Sequence, residues 1–150
     1  MDISLKLDKL KELCKDCTDS ICRQKEILVV SHVDADGLTA AAIICAALDR
    51  HNIDYKPLFF RQLDENALEE VADQGADLVI FTDLGSGMIQ EILERNLQAI
   101  VADHHKPKAC PAQPLAHINP HLVGADGANQ LSGSGSAFLL ARALASSPGA

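Results

Sequence analysis

The chain has no tryptophan, one tyrosine and four phenylalanines, so aromatic side chains make up 3% of its 150 residues. Tyr55, Phe59, Phe60, Phe81 and Phe138 mostly sit inside apolar runs, so no platform on which nucleobases could stack is visible. No apolar run is long enough to span a bilayer, which argues against membrane association. The opening Met1-Asp2-Ile3-Ser4-Leu5-Lys6, followed by Lys9, Lys11 and Lys15, lacks the apolar core of a secretory signal; a cytoplasmic chain is the expectation. A basic excess is missing too, since the formal net charge is -8. Residues 1–26 carry six basic and six acidic side chains, so the acidic excess lies entirely in residues 27–150. That excludes the broad basic stripe with which proteins grip duplex nucleic acid. Two bound divalent cations would cancel about half of the excess, so a nucleic-acid substrate held through metal-bound phosphate stays open.

At 47% hydrophobic the chain can bury one core. Leu5, Leu7, Leu10 and Leu13 have helical spacing and predict an amphipathic lead-in helix within residues 1–26. From residue 27 onward, β and α signals alternate without repeats. Strands are predicted at Ile27–Ser31, Tyr55–Arg61, Leu78–Thr82, Gln98–Ala102 and Leu115–Ile118, with Pro57 placing the second near an edge. Helices are predicted at Gly37–Arg50, Asp64–Asp73, Met88–Arg95 and Ser136–Ala145. Alternating strands and helices imply right-handed crossovers, hence an α/β fold: a doubly wound parallel sheet of about five strands with helices on both faces. Ser146-Ser147-Pro148-Gly149-Ala150 carries no packing signal. Five cysteines without secretory context predict reduced thiols; Cys14, Cys17 and Cys22 would need a distant fourth ligand such as Cys110 to build a structural metal site.

Chemistry concentrates just past three strands. His32, Asp34, Asp36 and Gly37 follow the first, Asp83 follows the third, and Asp103-His104-His105 follows the fourth. The carboxyl ends of parallel strands share one edge, so these groups converge there. Crowded carboxylates and neutral imidazoles suit divalent cations, which relieve the acids' repulsion and activate water. In extended geometry His32, Asp34 and Asp36 have the same parity and point to one side. Simpler roles remain for each: either aspartate, or Asp83, can cap the following helix, and Leu84-Gly85-Ser86-Gly87 can be an ordinary turn. In the third cluster one imidazole can bind metal while the other contacts phosphate or donates a proton; the alternative is a solvated pair.

Ser31-His32-Val33-Asp34-Ala35-Asp36-Gly37, Phe81-Thr82-Asp83-Leu84-Gly85-Ser86-Gly87, Asp103-His104-His105 and His117-Ile118-Asn119-Pro120-His121 resemble, in order, the motifs of the DHH phosphoesterase family. The match is nearest to its archaeal RecJ-like branch, which includes nucleases associated with the replication factor GINS. The resemblance implies a metal-dependent phosphodiesterase with two Mn2+ or Mg2+ ions, acting as an exonuclease on single-stranded DNA or RNA in replication and repair. By position it makes Asp34, Asp36, Asp83 and His104 metal ligands, with Asp83 as the bridge, and His32 a further ligand. It places His105 against substrate phosphate. Ser86 and Gly135 are candidate phosphate contacts, the latter within Ser132-Gly133-Ser134-Gly135-Ser136, which reads equally as a turn and helix cap.

Two departures from the family pattern accompany this. A further acidic metal ligand and a following substrate domain, often called DHHA1, are not among these residues, so residues 27–150 read as a DHH domain truncated before its last metal motif. On that expectation the isolated chain holds one ion well and is nearly inactive, unless His32 or Asp126 completes the site. A small-nucleotide phosphoesterase acting on a short oligonucleotide, a nucleotide phosphate or a cyclic dinucleotide would share every motif. A non-catalytic replication scaffold like the Cdc45 proteins would be expected to have lost them.

Overall fold

A computed structural model describes residues 2–147. Helix α1 (Ile3–Cys22) leads into β1 (Glu26–His32), α2 (Ala35–Arg50), β2 (Asp54–Phe60), α3 (Glu65–Asp73), β3 (Val79–Thr82), α4 (Ile89–Glu94), β4 (Ala99–Ala102), β5 (Ala116–Ile118), a 3-10 turn at Pro120–Val123 and α5 (Gly133–Ala145). The five strands form one sheet in the order β2-β1-β3-β4-β5, with every neighbouring pair parallel. This is the doubly wound α/β architecture that the alternation implied. β2 is an edge strand, so Pro57, opposite Val29, leaves no partner on a second side wanting its missing N–H.

All four residues of β3 and of β4 are buried, because helices cover both faces of the sheet. Ile27, Val29, Ile80, Ile100 and Ile118 face one way, into a core shared with α1, α2 and α5. Leu28, Val30, Val79, Phe81 and Val101 face the other, against α3 and α4. Each fully buried Ile, Leu or Phe among them contributes roughly 1.5–3 kcal/mol of transfer free energy.

The lead-in helix is longer than the leucine spacing alone indicated. Its buried stripe is Leu10, Cys14, Cys17 and Ile21, while Leu5 is exposed. Cys14 and Cys17 therefore serve as small apolar core residues; burial pushes both thiols up to about 12. Cys110 packs against the opposite core, so the thiols do not assemble into a metal site. The last helix begins at Gly133, three residues before its predicted start. In the closing stretch Ser147 is buried, whereas Pro148-Gly149-Ala150 lie outside the described residues. No helix among the described residues is long and apolar enough to cross a membrane.

Topology fixes where chemistry can occur. After β1 the chain crosses to β2 on one side, then returns over β1 to β3 on the other. The crevice of such a sheet opens at that reversal, past the carboxyl ends of β1 and β3.

Candidate metal centre

Asp34, two residues past β1, is the N-cap of α2, its Oδ1 accepting from the Gly37 N–H at 2.8 Å. Capping and site-building are not alternatives here, because its second oxygen, Oδ2, lies 2.9 Å from His32 Nδ1. Since α2 begins at Ala35, Asp36 stands in the first helical turn and does not share the extended-chain parity expected with His32 and Asp34. It turns to α5 instead, accepting from the Gly133 and Ser134 N–H groups, both at 2.9 Å. Asp36 thus anchors the N-terminus of α5 over the crevice and lies 3.6 Å from His104 Nε2. Burial pushes its carboxyl up, but the hydrogen bonds from Ser134 and Gly133 outweigh this and hold it below the ordinary range.

Asp83 sits at the centre. It follows β3 directly, in the left-handed region at φ 56°, and is 1% exposed. Burial, followed by the negative charges of Asp36, Asp34 and Asp103, raises its carboxyl to about 7. Its Oδ1 is buried without a hydrogen-bond partner, and so is Nδ1 of His32.

The imidazoles explain those orphans. His32 Nε2 lies 3.0 Å from the Arg61 carbonyl, which can only accept, so Nε2 carries the proton and Nδ1 is left with a lone pair. That lone pair faces Asp34 Oδ2 at 2.9 Å and Asp83 Oδ2 at 3.7 Å, oxygens that are themselves acceptors when ionised. His104 repeats the arrangement. Its Nδ1 donates to the Gly127 carbonyl at 2.6 Å, so Nε2 points its lone pair at Asp83 Oδ1, 3.2 Å away. Acceptors facing acceptors across a buried crevice is the donor set that a cation resolves, with the outer ring nitrogens fixed as in metal-binding histidines. Two groups can each offer one ligand atom per residue within 4.8 Å of one another: His32, Asp34 and Asp83, and Asp83, His104 and His105. Asp83 belongs to both.

Asp103, absent from the sequence-derived ligand set, orients His105. It is fully buried; its Oδ1 accepts from the His104 and His105 N–H groups and from His105 Nδ1, at 2.7, 3.2 and 2.8 Å. The Asp103 hydrogen bond raises the His105 pKa against the opposing effect of burial. Gly127 was missed as well, and nothing in the sequence flagged it: a Cβ there would lie 1.9 Å from the His104 carbonyl oxygen.

Two phosphate candidates are placed differently from their expectation. Ser86 is 0% exposed, with its hydroxyl between His117 Nε2 and Asn119 Nδ2, both 2.8 Å away, and so has no surface to present to a phosphate. The Gly135 N–H is occupied by its own N-cap, donating to Ser132 Oγ at 3.0 Å. Asp126 is engaged locally with Ala128 and Asn129 rather than at the crevice.

A cavity of about 180 Å³ opens over the cluster, lined by His32, Arg61, Gln62, Leu63, Asp83, Leu84 and His105. A roomier one, about 370 Å³ between α1 and α5, brings no acid or imidazole together, and its Lys11 and Lys15 are already paired with Asp8 and Glu12. The chemistry favours the smaller.

The chain and its fold have counterparts among known proteins. The chain is 32% identical over 144 residues to an uncharacterized protein of Methanocaldococcus jannaschii, covering 91% of this chain and 33% of the relative. It is 32% identical over 148 residues to the single-stranded-DNA-specific exonuclease RecJ of Thermus thermophilus, covering 93% of this chain and 22% of that one. The chain therefore spans a third or less of these relatives' lengths. A crystal structure of exonuclease RecJ bound to manganese superposes with a TM-score of 0.70 at 30% identity, over 90% of this chain and 37% of that one. With residues 26–148 matching the N-terminal domain of the DHH family, the chain belongs to that family.

Proposed function

We propose that this domain carries the catalytic centre of a metal-dependent phosphodiesterase acting on single-stranded nucleic acid. The observation that carries this reading is Asp83, a buried carboxylate with one unpartnered oxygen that is common to two potential ligand groups. Similarity to RecJ, one relative being named for single-stranded DNA and one structure being bound to manganese, supports the substrate class and the choice of ion.

His32, Asp34, Asp83 and His104 would hold the ions, with Asp36 beside them. Divalent ions bound there supply Lewis acidity toward water and phosphate oxygens. The protein's part is to fix the groups around the reacting phosphate. Asp83 keeps the two ligand groups together, Asp36 holds α5 across one side, and Asp103 aims His105 into the cavity. His105, with its Nδ1 tied to Asp103, has Nε2 available to bind a phosphate oxygen or to give a proton to the departing oxygen. Intact acids at each position speak against a scaffold that has lost its chemistry.

The test compares manganese-dependent hydrolysis of long single strands, duplexes and dinucleotides, with single strands cut fastest. Preference for dinucleotides would assign a small-nucleotide substrate, and no hydrolysis of any, by this chain or by a longer form carrying the further acidic ligand, would overturn the reading. Two variants then divide the histidine pair. His104→Ala should weaken manganese binding in calorimetry, whereas His105→Ala should leave it nearly unchanged and lower the rate by on the order of a hundredfold. Equal loss of binding in both would make His105 a ligand like His104.

A further inference from the structure

Behind His105 lies a buried polar chain to which the proposed chemistry assigns no role. Asn119 is 0% exposed, and all its polar groups are engaged. Its Oδ1 accepts from the His121 N–H at 2.9 Å, while Nδ2 donates to Ser86 Oγ and to the His105 carbonyl, both at 2.8 Å. The Ser86 hydroxyl therefore already receives one hydrogen bond and has a single hydrogen to give. Its other neighbour is His117 Nε2, at 2.8 Å. Were Nε2 protonated, it too would point a hydrogen at Oγ, and the hydroxyl hydrogen would be buried without an acceptor. The satisfied arrangement runs one way, from Asn119 to Ser86 to His117, and requires Nε2 of His117 to be bare. Burial agrees, since it lowers the His117 pKa and favours the neutral ring.

The same residues close around His105. Asn119 holds its carbonyl, and Asp103 holds its N–H and its Nδ1. Asp103 is itself steadied by the Ser86 N–H, which donates to Oδ2 at 3.0 Å. Only Nε2 of His105 is left free of these restraints.

We propose that Asn119 and Ser86 are positioning residues for His105, and that His117 terminates their hydrogen-bond chain as the Nδ1–H tautomer. The kinetic consequence rests on the phosphodiesterase reading, whereas the tautomer rests on geometry alone. Long-range proton–nitrogen NMR correlations on histidine-labelled, metal-free protein read the tautomer directly. The expected result is a protonated Nδ1 and a bare Nε2 at His117. Ser86→Ala, nearly equal in volume, removes the hydroxyl that donates to Nε2 and should turn this signature into a mixture of tautomers. Asn119→Asp keeps the acceptor for His121 and loses both N–H donors. It should lower kcat by on the order of 10–100-fold, with KM and manganese affinity unchanged, as for other residues that orient a ligand or acid from behind. A protonated Nε2 at His117 in the parent protein overturns the inference whether or not any substrate is hydrolysed. So does unchanged kcat in folded Asn119→Asp.

Discussion

Asp83→Asn should abolish manganese binding and at the same time make the metal-free protein more stable near neutral pH. Asparagine is among the few residues that tolerate the left-handed backbone found here, so the turn after β3 is kept. What is lost is the anion common to both ligand groups. In the metal-free state that anion is a burden. Burial and the charges of Asp36, Asp34 and Asp103 raise its pKa from 3.8 to about 7, so between those values the folded state holds a proton that the unfolded state has released. Stability must then fall as pH rises across this window and level off above it. His105 adds a slope of the same sign: its pKa is raised from 6.5, so its contribution is full below that value and is lost as pH climbs through the folded value. Asp34, Asp36 and Asp103, all lowered, lose their contributions only as pH falls below the ordinary carboxylate range.

Metal-free protein should therefore melt lower at pH 8 than at pH 5.5, and Asp83→Asn should flatten most of that difference. Manganese at a hundred times its dissociation constant should add about 2.7 kcal/mol to the parent and nothing to the variant. Normal manganese binding by Asp83→Asn in calorimetry would refute the shared-ligand assignment. An unchanged pH slope would refute the electrostatic one.

How much of this was legible in the sequence differs from element to element. The strands were, because Ile27–Val30, Leu78–Phe81 and Ala99–Val101 are short continuous apolar runs, as strands buried on both faces require. The convergence of Asp34, Asp83 and Asp103-His104-His105 followed from the shared edge of a parallel sheet. The far half of α1 was hidden because Cys14, Cys17 and Ile21 continue the buried stripe with residues that also read as a metal motif. Asp36 was read with strand parity, but the helix starts at Ala35, two residues before Gly37, and exchanges that parity for helical rotation. Ser86, beside two glycines, was a candidate phosphate contact. Its buried partners, His117 in β5 and Asn119 just after it, lie 31 and 33 residues further along the chain, beyond the reach of a local sequence pattern. The start of α5 was hardest, since Gly133-Ser134-Gly135-Ser136 is a poor helical turn by intrinsic preference. Tertiary contact overrides preference there, and the contact is with the site itself.

That contact carries the second large effect. A Cβ built on Gly133 would lie 2.2 Å from Asp83 Oδ1, 2.7 Å from its Cγ and 2.8 Å from its Cβ. On an exposed helix, Gly→Ala would be worth about 1 kcal/mol in favour of the variant. Here the sign reverses, because the clash is with a carboxylate that is 1% exposed and sits in a constrained backbone conformation. Either the carboxylate leaves its shared position or α5 lifts, breaking the Gly133 and Ser134 hydrogen bonds to Asp36. Both routes dismantle the ligand set, so Gly133→Ala should lose manganese binding and cost about 1–3 kcal/mol of stability from overpacking. Gly135→Ala, in the same turn, separates this from a general intolerance of the helix start. Its Cβ would meet Leu131 Cδ1 at 2.7 Å, the end of a side chain that can swing aside, so manganese binding should survive. Calorimetry and thermal melts on the two variants decide the matter: manganese bound by Gly133→Ala with parental affinity would mean that the helix is not what seats Asp83 between its ligand groups.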